Sequence, residues 1–223
     1  MIATMVFAAG RGTRMRPLTD DRPKAMVQVA GRPLIDHALH QVAGPGPTVV
    51  NAHHFADLLQ RHLADKTIAV IHETPTLLET GGGLRNALPQ LGDGPVLTMN
   101  ADACWTGPRA RDTLLAAWDA DAMDGLLLLV PQNRAIGQAG GNFARDAQGR
   151  LTRDREGLVH TGAGIVKPGG LLADPRDVFS LRDLWFDMID RGRLFGVVHP
   201  GRWADVGTPD GIAAAEAMLA DAT

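Results

Sequence analysis

Tyrosine is absent from the 223-residue sequence, and cysteine occurs only once. The single cysteine, Cys104, excludes an internal disulfide and fits a reducing compartment, so we expect a cytoplasmic protein. No stretch approaches the roughly 20 consecutive apolar residues that a membrane-spanning helix requires. The formal net charge of −3 provides no excess of positive charge for nucleic acid. We therefore expect neither a membrane nor a nucleic acid as a partner.

Lysine is also scarce, because only three lysines stand beside nineteen arginines. Hydrophobic residues make up 45% of the sequence, which is enough for the core of one large α/β domain. Short apolar runs predict strands, and segments with apolar residues at helical spacing predict helices. The predicted strands are 5–9, 25–30, 48–51, 68–71, 95–99, 125–130, 160–166 and 194–199. The predicted helices are 34–42, 55–63, 84–91, 109–123, 181–191 and 212–219, and a hairpin is predicted to join 142–145 to 150–153.

A loop with two glycines follows the first predicted strand. Gly10 and Gly12 allow a tight turn whose N–H groups can approach a ligand closely. Thr13 adds a hydroxyl, and Arg14 and Lys24 add positive charges that suit phosphate oxygens. The spacing excludes a Walker A motif and the dinucleotide-binding glycine fingerprint. The glycines alone fit an ordinary strand-to-helix turn, but the whole combination favours a site for a phosphate chain.

Polar and acidic residues follow predicted strands, at the position where α/β sheets bind their ligands. Asn100 and Asp102 follow the predicted strand 95–99, at the carboxyl end where ligands bind. Asp205 lies in the segment Trp203-Ala204-Asp205-Val206-Gly207-Thr208-Pro209. Each aspartate alone is also typical of a turn or a helix cap. A glycine triplet at 81–83 precedes the predicted helix 84–91, where it fits either a flexible helix entry or a backbone approached closely by another surface.

Three segments together resemble the signature of the sugar-1-phosphate nucleotidylyltransferases. The first is Ala8-Ala9-Gly10-Arg11-Gly12-Thr13-Arg14-Met15, followed by Pro17-Leu18-Thr19 and Pro23-Lys24. The others are Leu78-Glu79-Thr80-Gly81-Gly82-Gly83-Leu84 and His160-Thr161-Gly162-Ala163-Gly164-Ile165-Val166. The family joins a nucleoside triphosphate to a sugar 1-phosphate and releases pyrophosphate. The resemblance implies a Rossmann-like three-layer αβα fold with a mixed central sheet, of the nucleotide-diphospho-sugar transferase type. We expect one domain, 1–223, with a nucleotide-binding part at about 1–130 and a sugar-binding part at about 131–223.

The resemblance also implies roles for individual residues. Arg14 and Lys24 would be the catalytic cations, and Asp102 and Asp205 would bind Mg²⁺. The nucleotide-binding candidates are Ala8, Ala9, Gly10, Gly12, Thr13, Arg14, Glu73, Glu79, Thr80, Gly81 and Asn100. The sugar-binding candidates are Asn142, Thr161, Gly162 and Trp203. The glycine-rich segment 137–141 is expected to form a mobile flap over the sugar.

The sequence departs from the family pattern at two places, of which the first affects how closely the backbone can approach a ligand and the second bears on the substrate. Ala101 stands where the family usually has glycine, and a Glu-Lys pair found in many members is missing from 152–156. The resemblance favours transfer from UTP to an amino-sugar 1-phosphate, with N-acetylmuramate 1-phosphate in cell-wall recycling as the expected acceptor. The alternatives are a mannose-1-phosphate guanylyltransferase or a glucose-1-phosphate thymidylyltransferase, a less favoured phosphocholine cytidylyltransferase, and a non-catalytic regulatory protein that binds nucleotide sugars. Arg14, Lys24, Asp102 and Asp205 together argue against the last of these, and the oligomeric state stays open.

Overall fold

A computed structural model describes residues 1–222 of the chain. The strands are β1 (Ala3–Phe7), β2 (Gln28–Val29), β3 (Arg32–Pro33), β4 (Thr48–Ala52), β5 (Ala69–His72), β6 (Val96–Asn100), β7 (Ala103–Trp105), β8 (Gly125–Val130), β9 (Ala135–Ile136), β10 (Phe143–Arg145), β11 (Leu151–Arg153), β12 (Val159–Val166), β13 (Leu194–Val198) and β14 (Trp203–Asp205). The α-helices are α1 (Leu34–Val42), α2 (Ala56–His62), α3 (Glu79–Leu91), α4 (Ala110–Ala117), α5 (Gly169–Ala173), α6 (Leu181–Asp190) and α7 (Pro209–Ala220). Short 3₁₀ helices cover Thr13–Met15, Lys24–Met26 and Gln132–Arg134. Across residues 1–222, none of these helices has the length and apolar character required to cross a bilayer.

A seven-stranded sheet forms the centre of the molecule, with the order β13-β8-β12-β6-β1-β4-β5. Strands β6, β1, β4 and β5 run parallel to one another, and β13 runs parallel to β8. Strand β12 runs antiparallel to both of its neighbours, β6 and β8. The sheet is therefore mixed, which confirms the predicted fold class.

Helices cover both faces of this sheet, because successive side chains of each strand point to opposite faces. On β1, Val6 belongs to a core cluster with Ile35 of α1 and Leu114 of α4. The preceding residue, Met5, belongs to the other large cluster, with Leu84 of α3. Both β1 residues are fully buried. This alternation produces the three layers, with α1, α2 and α4 on one side and α3 and α6 on the other.

A small second sheet, in the order β7-β14-β9, lies next to the carboxyl end of β6. Helix α7 packs against it through a third core cluster that contains Cys104. Burial raises the pKa of the Cys104 thiol to about 12, so the thiolate is not populated near neutral pH. Cys104 therefore has a packing role, in agreement with the absence of disulfides.

Five predicted elements had a boundary that was wrong by two or more residues. One of them is the last helix, α7, which begins at Pro209 rather than at 212. Strand β1 ends at Phe7 rather than at 9 because the Ala8 N–H bonds a side chain, Asn51 Oδ1, at 2.8 Å. The predicted strand 25–30 begins instead as the 3₁₀ turn Lys24–Met26, closed by a 3.0 Å bond from Val27 N–H to Lys24 O.

The remaining two boundaries concern helices. The glycine triplet lies inside α3 rather than ahead of it. Helix α4 ends at Ala117 rather than at 123, because the Asp119 side chain accepts the N–H groups of Asp121 and Ala122 and forms a local turn instead.

Candidate active site

A cavity of ≈ 200 Å³ opens at the carboxyl ends of β1, β4 and β6. This is the edge of an α/β sheet at which ligands are expected to bind. Eight predicted site residues line the cavity: Ala8, Ala9, Gly10, Lys24, Glu79, Thr80, Asn100 and Asp102. The structure therefore brings the first and second motifs and the end of β6 into one site.

The loop after β1 requires glycine at position 12 for two reasons. Its φ is 64°, in the left-handed region that disfavours side chains. A Cβ atom there would also lie 2.9 Å from Lys24 Cβ. The Thr19 hydroxyl closes the loop by donating to Gly12 O at 2.9 Å. The bare backbone of Gly12 thus lets Lys24 pack against the loop, while Thr13 and Arg14 begin the exposed 3₁₀ turn that follows.

Asp102 directly precedes β7 and Asp205 ends β14, so both residues lie at the same end of the pairing between these two strands. Asp205 is opposite Ala103 in this antiparallel pair, and the Val206 N–H donates to Asp102 O at 2.9 Å. The Lys24 ammonium donates to Asp102 Oδ2 at 2.9 Å, and only 12% of the lysine side chain is exposed. Two aspartates that are 103 positions apart in sequence therefore share one small region with a lysine.

The electrostatics of this region favour a cation. Burial raises the pKa of Asp205, the neighbouring Asp102 carboxylate raises it further, and Lys24 and Arg14 oppose the change. Arg14 is close because a Cβ atom at Gly207 would lie 3.0 Å from Asp205 Oδ2 and 3.3 Å from Arg14 Nη1. A divalent cation between the carboxylates would remove their repulsion.

The two carboxylates suit a Mg²⁺ ion that completes its coordination with water and substrate phosphates, rather than one held entirely by protein side chains. Within residues 1–222, no group of three or more His, Cys, Asp or Glu side chains is arranged to hold a metal ion. Mg²⁺ is commonly held by one or two carboxylates together with water and substrate phosphates. Asp102 and Asp205 fit that pattern.

A buried hydrogen-bond network around Asn51 and Glu73 supports part of the cavity wall. Asn51 Oδ1 accepts the Ala8 N–H at 2.8 Å, and Asn51 Nδ2 donates to Glu73 Oε1 at 2.7 Å. Glu73 Oε2 accepts the Leu78 N–H at 2.9 Å. Glu73 is only 2% exposed, so it reaches a ligand through Asn51 and the 77–80 segment rather than by direct contact. Asn51 was not among the predicted site residues, although a polar residue near the end of a parallel strand is a usable signal.

Glu73→Gln is expected to lower the free energy of unfolding by about 1–3 kcal/mol. Either the Asn51 Nδ2 donor or the Leu78 N–H donor would then face an amide N–H₂ group instead of an oxygen. The Km for the nucleotide should rise as well, since 77–80 lines the cavity. Urea denaturation with an unchanged m-value measures the first effect. Glu156→Gln at an exposed position is the control, and equal stability of the two variants would contradict the assigned network.

Two predicted contacts lie away from the cavity. The N–H groups of Gly81 and Gly82 both donate to Phe179 O, at 2.8 and 3.2 Å. The surface that closely approaches the first two glycines of the triplet is therefore the chain at 177–179. Trp203 is 4% exposed and packs edge-on against Trp105, with ring centroids 6.4 Å apart. Trp203 thus stabilises the β7–β14 pair that carries the aspartates.

The other sugar-binding candidates lie on or beside β12. A Cβ atom at Gly162, whose φ is 79°, would lie 2.7 Å from Asn100 Nδ2, which places Gly162 against the cavity wall. The Thr161 hydroxyl is buried and donates to Leu128 O at 2.7 Å, so Thr161 faces the core. Asn142 Oδ1 accepts the His160 N–H at 2.8 Å. Asn142 and the segment 138–141 line a second cavity next to β12.

His160 makes the fold sensitive to acid. Burial lowers the pKa of His160 to about 4, so the unfolded chain, with a pKa near 6.5, binds more protons between these values. Stability should therefore fall by up to about 3 kcal/mol as the pH drops from 6.5 to 4. His160→Phe keeps the edge contact with Trp185 and should reduce this slope in urea titrations at successive pH values. Some slope should remain, because burial also lowers the pKa of His37 and His199, and an undiminished slope would contradict the assignment to His160.

Comparison with known proteins identifies the family to which the chain belongs. Residues 4–156 match the MobA-like NTP transferase domain family. The chain is 42% identical to the N-acetylmuramate alpha-1-phosphate uridylyltransferase of Caulobacter vibrioides, with 98% of this chain and 97% of that protein covered. It is 32% identical to the protein of the same name from Neisseria meningitidis serogroup B, with 96% of each covered.

A solved structure shares the fold at low sequence identity. The inositol-1-phosphate CTP transferase from T. maritima superposes with a TM-score of 0.78 at 17% identity, covering 98% of this chain and 95% of that chain. The match to the family and the two relatives aligned over nearly their whole length confirm the resemblance that the sequence motifs indicated. The chain therefore belongs to the sugar-1-phosphate nucleotidylyltransferases and carries their MobA-like NTP transferase domain.

Proposed function

We propose that this enzyme transfers a uridylyl group from UTP to N-acetylmuramate α-1-phosphate and releases pyrophosphate, as a step in peptidoglycan recycling. The observation that carries the proposal is the 42% identity over 98% of the chain to a protein with that activity in its name. The co-location of Lys24, Asp102 and Asn100 in one cavity supports catalysis rather than simple binding.

The reaction joins two anions, and their repulsion is part of the barrier. A phosphate oxygen of the sugar 1-phosphate attacks the α-phosphorus of UTP, and the bond from that phosphorus to the oxygen bridging to the β-phosphate breaks. The attacking phosphate is already ionised, so no general base is needed. Two unit charges about 4 Å apart cost roughly 4 kcal/mol at an effective dielectric of ~20. The chain must supply positive charge and alignment.

Residues in the cavity and in the loop beside it divide these tasks by position. Lys24 provides an ammonium beside Asp102, where we place the α-phosphate or the sugar phosphate. Arg14 lies beside Asp205 and would hold the leaving pyrophosphate. Gly10, Gly12 and Thr13 would contribute backbone N–H donors to the phosphate chain. Glu79 and Thr80 line the cavity where we place the base.

We propose Asp102 and Asp205 as the ligands of Mg²⁺, which supplies charge neutralisation between the reacting phosphates when it is bound. Asp205 ends β14 and Asp102 directly precedes the paired strand β7, which fixes the two backbones relative to each other. Because burial and Asp102 already oppose the charge on Asp205, this carboxyl gains more from a cation than an exposed one would.

We propose that residues 1–130 mainly bind the nucleotide and that 131–223 mainly bind the sugar, within one domain. The described part of both segments contributes strands to the central sheet, so they would act as one body. We place the reaction in the cytoplasm, because its donor is a nucleoside triphosphate.

A pyrophosphate-release assay tests the function. Purified protein would be incubated with each of UTP, GTP, dTTP and CTP, crossed with the 1-phosphates of N-acetylmuramate, N-acetylglucosamine, glucose and mannose. We expect the highest kcat/KM for UTP with N-acetylmuramate α-1-phosphate. A preference for GTP with mannose 1-phosphate, or for dTTP with glucose 1-phosphate, would overturn the substrate assignment. No release with any pair would overturn the function.

A further inference from the structure

A second cavity, of ≈ 860 Å³, is distinct from the cavity at the ends of β1, β4 and β6, which is called the nucleotide cavity below, and it is rich in arginine. It is enclosed by the 138–142 segment, by 153–155 and by the first half of α6. Three arginines line it, namely Arg153, Arg155 and Arg182, against one acid, Asp154. Asp154 Oδ1 is already occupied by the Glu156 N–H at 2.9 Å. We call this space the arginine cleft.

The arginines of the cleft are not neutralised by carboxylates. Within residues 1–222, none of the three forms an ion pair, whereas Arg176 and Arg191 elsewhere on the surface each bond two carboxylates. The Arg153 guanidinium lies 3.5 Å from the centroid of the Phe186 ring, which fixes its plane and leaves its N–H edges available. Burial lowers the pKa of His160 and keeps the ring neutral near pH 7, so the positive charge of the cleft comes from arginine alone.

The arginine cleft adjoins the place where the sugar must lie. Strand β12 contacts Asn100 at Gly162 and lines the cleft at His160. These two positions are at most about 7 Å apart along the strand, which is comparable to the width of one pyranose ring. On the other side, the Leu181 N–H donates to Thr80 Oγ1 at 3.0 Å, which ties the residue before Arg182 to the nucleotide cavity.

We propose that the arginine cleft binds a carboxylate-bearing substituent of the sugar, with Arg153 and Arg182 as its main partners and Arg155 as a supporting charge. This inference rests on the proposed function, because N-acetylmuramate differs from N-acetylglucosamine by a lactyl ether that ends in a carboxylate. Guanidinium groups bind carboxylates through paired N–H donors. The partly exposed rings of Trp185 and Phe186 offer apolar surface to the rest of the substituent.

The cleft would thus determine specificity without taking part in the chemistry. A sugar lacking the carboxylate leaves the three cations without a partner and gains nothing from them. A sugar with the carboxylate gains charge-assisted hydrogen bonds at a distance from the reacting phosphorus. Discrimination between the two sugars is therefore expected to appear in binding more than in kcat.

Isothermal titration calorimetry with two products tests this directly. UDP-N-acetylmuramate and UDP-N-acetylglucosamine share every group except the lactyl ether, so their affinity ratio isolates it. We expect the wild type to favour the first by at least tenfold. In Arg153→Gln/Arg182→Gln the ratio should fall towards one, with each single variant between. Arg61→Gln, an exposed arginine on α2, should keep the wild-type ratio.

The outcomes separate the two proposals. A double variant that keeps the wild-type ratio, while the wild type makes UDP-N-acetylmuramate, overturns the cleft assignment and leaves the proposed function in place. Equal loss of affinity for both products, with a lowered melting temperature, also overturns it and indicates a structural role. A wild type that releases no pyrophosphate from UTP with N-acetylmuramate α-1-phosphate overturns the function, and the cleft assignment with it.

Discussion

Asp205→Asn is expected to lower kcat by about 10³-fold or more, equivalent to ~4 kcal/mol of transition-state stabilisation. The amide keeps the size of the side chain but removes the charge that would hold the metal ion. Asp102→Asn should have a similar effect, because the two residues lie at the same end of one strand pairing and are assigned the same role. The double variant should lose little more than either single one, since residues that act as a unit are not additive.

A second readout separates loss of the metal from loss of the fold. Burial and Asp102 both oppose the charge on Asp205, so Asp205→Asn should leave the metal-free protein at least as stable as the wild type. MgCl₂ with UTP should raise the melting temperature of the wild type and raise that of the variant much less. Asp57→Asn on the exposed face of α2 is the control for a lost carboxylate. Near-normal turnover in both aspartate variants, or an unchanged response to Mg²⁺, would contradict the metal assignment.

Local sequence patterns indicated Asp102 and Asp205 separately, but they did not predict that the two residues lie close together. The fold explains why. Each follows or ends an apolar segment, which is a local pattern. Their proximity depends on β14 lying antiparallel to β7, and this pairing joins residues about a hundred positions apart. No local periodicity encodes such a register. The family resemblance supplied the pairing, and the strand geometry gives its physical cause.

The glycine triplet shows a different limit. Three adjacent glycines predict that something approaches the backbone closely, and the structure agrees. What approaches Gly81 and Gly82 is the chain at 177–179, whose Phe179 carbonyl takes both N–H groups. The partner at Gly83 is the Glu73 carboxylate, whose Oε1 would lie 2.6 Å from an added Cβ. Residue type indicates the need for space, but only the tertiary structure decides whether a ligand or the protein itself fills it.

Buried polar and aromatic groups were the hardest to predict. Trp203 has an aromatic ring of the kind that stacks on sugars. It packs against Trp105 instead, because β14 is the middle strand of its small sheet. Asn51 has no motif around it, yet its amide joins the phosphate loop to Glu73. In both cases the role follows from neighbours that are distant in sequence.

Lys24→Met is expected to lower kcat by about 10²- to 10³-fold while changing the Km for UTP far less. The ammonium lies 2.9 Å from Asp102 Oδ2, at the point where charge develops in the proposed transfer, so its contribution should be largest in the transition state. Lys24→Arg should restore little activity. The side chain is only 12% exposed and packs against Gly12, so the space suits a compact ammonium rather than a planar guanidinium.

The contact between Lys24 and Asp102 also predicts that Lys24→Met lowers turnover without weakening Mg²⁺ binding. Lys24 occupies one oxygen of Asp102, so removing its charge should leave the carboxylate pair more negative and the apparent affinity for Mg²⁺ unchanged or higher. A substitution that merely damaged the loop would weaken Mg²⁺ binding and turnover together. Titration of Mg²⁺ against the melting temperature, together with steady-state kinetics, distinguishes these cases, with Lys66→Met, at a lysine whose side chain is 44% exposed, as the matched control. A variant with weakened Mg²⁺ binding and a raised Km but an unchanged kcat would show that Lys24 orders the site without assisting the reaction.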